Sequence, residues 1–237
     1  MRRQTRRMKI FFTTIIAVAG AGSLLAQEDG FESLFDGKTL EGWDGEEQFW
    51  SVEDGTITGQ TTKENPVPFN KFIIWDGEVA DFDLILEYKI EAGNSGIQIR
   101  SFKNANPKQV YSIQGYQADL DSARGWAGTN YGEGFGGVLA KRGQKVTLKP
   151  DKKDNVVEEL GDAAGLQAKI KENEWNEYRV VAKGNVIQMF INGVLMSETI
   201  DERPNARADG LLAFQLHGGP PMKVQFKNIR LKKIASE

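Results

Sequence analysis

The 237-residue sequence contains no cysteine and a single histidine, His217. The absence of cysteine excludes a scaffold held by disulfides and any metal site built on thiolates. A single imidazole also excludes the zinc sites that need two or three histidines. Acid–base catalysis by one histidine stays open, because the ordinary pKa of an imidazole lies close to neutral pH.

Positive charge is scarce after the first nine residues. The chain has 30 Lys and Arg against 33 Asp and Glu, and five of the cations precede residue 10. The remainder has 25 cations against 33 anions, a net charge of −8. Such a body repels nucleic acid and anionic lipid at long range, so neither is an expected partner. The sequence also lacks a nucleophile elbow, a Walker loop and a dinucleotide-binding fingerprint.

The first 26 residues have the pattern of an export signal. A basic start precedes an uncharged run, Ile10–Gln27, in which residues 23–26 form the small-residue stop. An uncleaved membrane anchor is the alternative, but the run is short for a bilayer span and is interrupted by Thr and Gly. We therefore predict a signal peptide at 1–26 and one mature domain at 27–237. We expect a periplasmic or secreted bacterial protein without stable membrane insertion after cleavage.

The mature region alternates short apolar and polar positions between Gly, Asn and Asp, which predicts an antiparallel all-β fold. Nine segments fit a strand: 50–60, 83–90, 96–102, 111–120, 178–183, 186–191, 194–200, 211–217 and 224–231. Asn192-Gly193 and Gly184-Asn185 predict type I′ hairpin turns. So many strands require two packed sheets, a sandwich or jelly roll. Residues 151–171 are polar and predict a surface insertion, weakly helical over 154–161.

Alternation along the strands places polar groups on a shared face, because residues i and i+2 of a strand point the same way. In 96–102, for example, Gln98 and Arg100 stand opposite Ile97 and Ile99. The polar residues that four strands present in this way are Glu87, Gln98, Arg100, Gln117, Asp119, Gln215 and His217. A solvated sheet face is one interpretation. The other is a concave binding site, because amide, guanidinium and imidazole groups suit polyhydroxylated ligands.

Glycines are dense in residues 125–143, which predicts a long loop over a pocket. Its notable side chains are Trp126, Tyr131, Glu133, Phe135 and Arg142. Exposed aromatic rings beside glycines are typical of sugar-stacking platforms, although a plain surface loop is the simpler interpretation.

Ionisable groups leave two further questions open. His217 lies between a predicted core strand and a Gly-Gly-Pro-Pro turn, and a lone histidine often has a purely structural role. Carboxylates such as Glu87, Asp119 or Glu133 leave room for a divalent cation, although no residue is assigned as a metal ligand.

At these residues the sequence resembles the 3-keto-disaccharide hydrolase domain family, whose members adopt a concanavalin A-like lectin/glucanase jelly-roll sandwich of two antiparallel sheets. The matching segments are FESLFDGKTLEGW (31–43), NSGIQIR (94–100), GYQADLD (115–121), the Trp126…Tyr131-Gly132-Glu133 loop and GLLAFQLHGGPPMKVQFKNIRL (210–231). Together they span nearly the whole mature region.

The resemblance implies a small-molecule glycoside already oxidised at C3. A C3 ketone acidifies the C2 proton, so a base can remove it and expel the C1 aglycone by β-elimination, and water then adds to the enone. The residues assigned to catalysis are His217 as base or acid, Arg100 as ligand of the keto or enolate oxygen, and Asp119 and Glu133 as proton donors or cation ligands. The residues assigned to substrate binding are Gln98, Gln117, Trp126, Tyr131, Gln215 and Arg142.

Two alternatives share the same expected fold, since a fold does not fix a function. A non-catalytic carbohydrate-binding module would need amides and a stacking ring, but has no use for a cluster of histidine, arginine and two carboxylates. A glucanase acting on intact polysaccharide would need paired glycosidase carboxylates, and the Glu-x-Asp-x-x-Glu pattern of the related glucanases is absent.

Overall fold

The computed structural model describes residues 30–106 and 109–235, which form seventeen strands in two sheets. The predicted export signal lies outside these residues. The strands of a ten-stranded sheet are β1 (Glu32–Ser33), β3 (Trp50–Glu53), β4 (Thr56–Gln60), β6 (Phe82–Ala92), β11 (Gln144–Leu148), β12 (Val156–Glu159), β13 (Asn176–Lys183), β14 (Val186–Ile191), β15 (Val194–Asp201) and β17 (Lys223–Lys233). The strands of a seven-stranded sheet are β2 (Trp43–Asp44), β5 (Lys71–Val79), β7 (Asn94–Lys103), β8 (Ile113–Asp121), β9 (Asn130–Glu133), β10 (Gly137–Ala140) and β16 (Gly210–Leu216).

The two sheets are almost wholly antiparallel, as the alternation predicts. The ten-stranded sheet runs in the order β12-β11-β15-β14-β13-β6-β17-β4-β3, with β1 paired to β17. The seven-stranded sheet runs β10-β9-β8-β7-β16-β5-β2. Among the described strands, β11 and β15 form the one parallel pair.

The core lies between the sheets and depends on the alternation of each strand. Phe214 of the seven-stranded sheet stacks on Phe226 of the other sheet, with ring centroids 4.0 Å apart, and on Trp43 at 4.8 Å. Leu212 and Leu216, on the same face as Phe214, are also fully buried. The residues between them therefore point to the outer face, where they can build a site.

Most predicted strands are confirmed, with small shifts of their ends. The segment 50–60 is instead two strands, because Asp54 and Gly55 have positive φ and turn the chain. Both predicted hairpins form. Asn192 and Gly193 both have positive φ, as a type I′ turn requires. At the other hairpin only Gly184 does, so the type I′ prediction there is wrong.

The prediction of weak helicity over 154–161 is also wrong. Val156–Glu159 is strand β12, which pairs with β11 and places Glu158 3.4 Å from Lys145. Two neighbouring valines favour an extended chain. The edge of β11 opposite β15 is available to pair with this segment. The helical segments nearby are a 3₁₀ turn at Lys152–Asp154 and α1 at Ala163–Gln167. Across residues 30–106 and 109–235, no helix has the length and apolar character needed to cross a membrane.

Candidate active site

A cavity of about 680 Å³ opens on the outer face of the seven-stranded sheet. This volume falls within the range of small-molecule sites. Strand β8 contributes Gln117 and Asp119, β9 contributes Tyr131 and Glu133, and His217 follows directly after β16. These five predicted site residues therefore share one pocket, and a sixth, Trp126, lies at the same cavity.

Gln117 occupies the centre of a buried amide network. Gln98 donates from Nε2 to Gln117 Oε1 at 2.8 Å, and Gln215 donates to the same oxygen at 3.0 Å. Gln98 and Gln215 are fully buried and do not line the cavity, so they fix Gln117 in place. Gly96 makes the arrangement possible, since a Cβ there would lie 2.4 Å from Gln117 Cγ and Cδ.

Asp119 is a buried carboxyl group that faces the cavity. Its side chain accepts a hydrogen bond at Oδ1 from Gln117 Nε2 at 2.7 Å, and only 4% of the residue is exposed. Burial raises the pKa of Asp119 to about 8, and the charges of Glu133 and Asp121 add to the rise. At neutral pH the group is therefore mostly a neutral carboxylic acid, which can donate a hydrogen bond to a ligand.

Asn70 connects Glu133 by hydrogen bonds to the turn that follows His217. Its Oε2 accepts hydrogen bonds from Asn70 Nδ2 at 3.1 Å and from Gln215 Nε2 at 3.3 Å. The other end of the Asn70 amide accepts from the backbone N–H of Gly218 at 2.9 Å. Burial raises the pKa of Glu133, while the bond from Asn70 and the charge of His217 oppose the rise.

His217 is exposed, and its tautomer follows from one contact. Nδ1 lies 2.7 Å from the carbonyl oxygen of Gly218. A carbonyl can only accept, so neutral His217 carries its proton on Nδ1 and has the basic lone pair on Nε2. Nε2 is therefore the ring nitrogen available for proton transfer.

Trp126 forms an aromatic rim that is held by its backbone. The residue is 49% exposed, and its backbone N–H donates to Asp121 Oδ2 at 2.9 Å. Arg142 donates from Nη1 to the carbonyl oxygens of Ala127 at 2.7 Å and Arg124 at 2.8 Å. Arg142 thus stabilises the Trp126 turn through its backbone carbonyls and does not line the cavity. The prediction that Arg142 contacts substrate is therefore wrong in its geometry.

Arg100 is the second predicted site cation that does not line the cavity. The pairing register of β7 with β8 shifts at this point, and Arg100 adopts a φ of 45°, so it leaves the face that Gln98 occupies. Its guanidinium donates to the carbonyl oxygens of Ala80 and Gly184 and to Asp81 Oδ1, at 2.7 to 2.8 Å. The predicted sharing of a face by Arg100 and Gln98 is wrong, because strand alternation holds only where the ladder is regular.

Arg100 should therefore matter for stability. Arg100→Met leaves Asp81 and two carbonyls without their buried donor, and we expect the free energy of unfolding to fall by about 3–5 kcal/mol. Urea unfolding checks this value. The matched control is Arg207→Met, since the side chains of Arg207 and its partner Asp209 are 42% and 69% exposed, and we expect a change of about 0–1 kcal/mol. Equal effects of the two changes would contradict the structural role.

The carboxylates considered for a divalent cation are also separated. Glu87 lies on the ten-stranded sheet, beside Asn228 and Lys227, whereas Asp119 and Glu133 lie at the cavity. Within residues 30–106 and 109–235, no group of three or more His, Cys, Asp or Glu side chains is arranged to hold a metal ion.

Among the cavity residues that the sequence analysis did not assign to the site, Asp121 and Asn70 make the most contacts with the predicted ones. Asp121 continues the alternation of Gln117 and Asp119, so the pattern could have found it. Asn70 directly precedes β5, a strand that was not predicted, and no sequence signal places it beside Glu133. The segment 125–143, predicted as a loop, contains the hairpin of β9 and β10, and its Phe135 is buried.

Comparison with solved structures establishes the fold. A candidate glycosyl hydrolase from Parabacteroides distasonis matches 86% of this chain and 99% of its own at 18% identity, with a TM-score of 0.56. The carbohydrate-binding module CBM66 from Bacillus subtilis matches 81% and 96% at 14% identity, with a TM-score of 0.52. A galectin-like protein of unknown function from Bacillus subtilis matches 84% and 92% at 9% identity, with a TM-score of 0.53.

The two packed antiparallel sheets thus form a jelly-roll sandwich of the lectin/glucanase fold class, as predicted. The chain belongs to the 3-keto-alpha-glucoside-1,2-lyase-like domain family, whose sequence profile matches residues 30–232. The family resemblance given by the sequence motifs is confirmed. Comparison with curated proteins found no significant match.

Proposed function

We propose that this protein cleaves 3-keto-glucosides by removing the C2 proton and eliminating the C1 aglycone, and that it then adds water to the enone. One observation carries the proposal beyond the family name. A carboxylic acid held neutral at Asp119 shares a pocket with the free imidazole nitrogen of His217 and the half-buried carboxyl of Glu133. An elimination next to a ketone needs those three functions: an enolate stabiliser, a base and an acid.

The roles follow from the protonation states. His217 Nε2 takes the C2 proton, because Nδ1 is committed to Gly218. Neutral Asp119 donates a hydrogen bond to the C3 oxygen as it gains negative charge, the task first assigned to Arg100. Glu133, with its raised pKa, delivers a proton to the departing aglycone oxygen. Trp126 and Tyr131 hold the sugar ring, and Gln117 binds a hydroxyl.

Release of a chromogenic aglycone tests the proposal. We expect the mature protein to release it from the 3-keto-glucoside and not from the unoxidised glucoside. The α-anomer is tried first because the family is named for 3-keto-alpha-glucosides. A parallel reaction with chelator determines whether a divalent cation takes part. If calorimetry detects sugar binding and no aglycone is released, the carbohydrate-binding alternative is favoured. The similarity in fold to CBM66 is the observation that supports this alternative.

Asn70 should act as a positioning residue between Glu133 and the His217 turn. Asn70→Ala removes the donor to Glu133 and the acceptor of Gly218 N–H, and we expect kcat/KM to fall by about tenfold or more. The hydrogen bond from Asn70 lowers the pKa of Glu133, so removing it raises that pKa, and the loss of activity with rising pH should move to higher pH. The pH profile of kcat/KM checks this. Asn65→Ala, on the same segment, is the control; a lower rate with an unshifted profile would indicate structural damage only.

A further inference from the structure

The cavity has an unbalanced set of ionisable groups. Three carboxyl groups line it, those of Asp119, Asp121 and Glu133, and no lysine or arginine of the described residues does. His217 is the one lining residue that can become cationic, and the proposed reaction uses its neutral form. A ligand in this cavity therefore meets hydrogen-bonding groups and acidic groups, with no fixed positive charge.

The nearest arginine does not change this. Arg142 interacts electrostatically with Asp121, but it lies behind the Trp126 turn. Its guanidinium also donates to the carbonyl oxygen of Ala163 and to Gln167 Oε1, both at 3.1 Å, in addition to the carbonyls of the turn. Nε, Nη1 and Nη2 each donate to protein oxygens, and Arg142 does not line the cavity, so it offsets part of the charge of Asp121 from outside the ligand space.

The charge of a ligand should therefore affect its binding here. A carboxylate or phosphate that entered this cavity would lose water without gaining a cationic partner, and it would stand near the carboxylate of Asp121. An ammonium group would lose water too, but would gain attraction from Asp121. We propose that the site takes glycosides that are uncharged or carry a positive group, such as amino sugars, and discriminates against uronic acids and sugar phosphates. This inference rests on the proposed function for its catalytic test.

Three 3-keto-glucosides that share an aglycone and differ only at C6 test the inference. C6 carries a hydroxymethyl group in the first, a carboxylate in the second and an aminomethyl group in the third. We expect kcat/KM for the carboxylate to be lower than for the hydroxymethyl compound by at least about tenfold, and kcat/KM for the amine to equal or exceed it. Added salt should reduce the difference in kcat/KM between the carboxylate and hydroxymethyl substrates, because screening weakens charge repulsion and leaves a steric effect unchanged. A carboxylate substrate cleaved within about threefold of the neutral one overturns the inference.

A charge change at the cavity gives a second, independent result. Ser122 lines the cavity beside Asp121 and is half-buried. Ser122→Lys should raise kcat/KM for the carboxylate relative to the neutral substrate, and Ser122→Gln, of similar length but uncharged, should not. An equal change in both variants would count against selection by charge.

Calorimetry separates failure of the inference from failure of the proposed function. If none of the three keto compounds is cleaved, the proposed function fails. Binding of the three unoxidised glucosides then decides the inference. Binding of the neutral and amino compounds without the carboxylate supports it, whereas equal binding of all three, or binding of none, overturns it.

Discussion

Replacing Asp119 by asparagine is expected to lower kcat about a hundredfold while making the protein more stable. The amide keeps the shape of the side chain and can still accept from Gln117, so the fold is preserved. It is, however, a weaker hydrogen-bond donor than a carboxylic acid, so it stabilises the enolate less. Steady-state kinetics on a 3-keto-glucoside measure the loss.

The gain in stability should depend on pH in a defined direction. The pKa of Asp119 is about 8 in the folded protein and near its ordinary value of 3.8 when unfolded. From about pH 4 to about pH 8 the folded state therefore keeps a proton that the unfolded state releases, and this lowers the stability of the wild type as pH rises. We expect the Asp119→Asn variant to be more stable by at least about 1 kcal/mol at pH 8, and to lose this advantage below pH 4.

The control for Asp119→Asn is Glu87→Gln, which removes one carboxylate on the other sheet and should leave the kinetics unchanged. Wild-type activity should also decline above about pH 8, where Asp119 ionises. An Asp119→Asn variant that is less stable than wild type at every pH and fully active would exclude Asp119 as a neutral acid.

Replacing His217 by alanine should reduce kcat/KM by about 10²–10⁴-fold, the usual contribution of a general base. The fold should be unaffected, since His217 is exposed and the hydrogen bond of its ring goes to the backbone of the next residue. Added imidazole should restore part of the lost rate in this variant, because it can supply the missing base. Circular dichroism and thermal unfolding check the fold.

A His217→Ala variant that retains full activity would remove the base from the mechanism. A loss of activity that imidazole does not restore, accompanied by a lower unfolding temperature, would point to a structural role. His217→Gln extends the comparison, because glutamine keeps a polar group at the rim but cannot take up a proton.

Local alternation predicted the fold because most strands bury one face. Leu212, Phe214 and Leu216 carry a period of two that depends only on neighbours in the chain. Two of the missed strands lie in segments whose composition pointed elsewhere. Val156–Glu159 lies in a polar stretch and pairs with β11, and β9 lies within a glycine-rich segment that gave no strand signal. In both segments, pairing with a neighbouring strand decides the conformation against the local composition.

Much of the candidate site was also predictable, for the same reason. Gln117 and Asp119 lie on a regular part of β8, so the alternation places them on one face. Arg100 lies where the ladder of β7 is irregular, and its conformation there follows from partners at Ala80 and Gly184 that are remote in sequence. The raised pKa of Asp119 likewise depends on burial, which residue types alone do not reveal.

The most direct test of the mechanism is the reaction of a 3-keto-glucoside in deuterium oxide, with the product analysed as it forms. Abstraction of the C2 proton followed by rehydration places one solvent deuterium at C2 of the released 3-keto sugar. Product incubated without protein gives the rate of spontaneous exchange. We predict deuterium at C2 in every turnover and well above that background. Aglycone release with protium retained at C2 would contradict elimination and indicate direct displacement at C1.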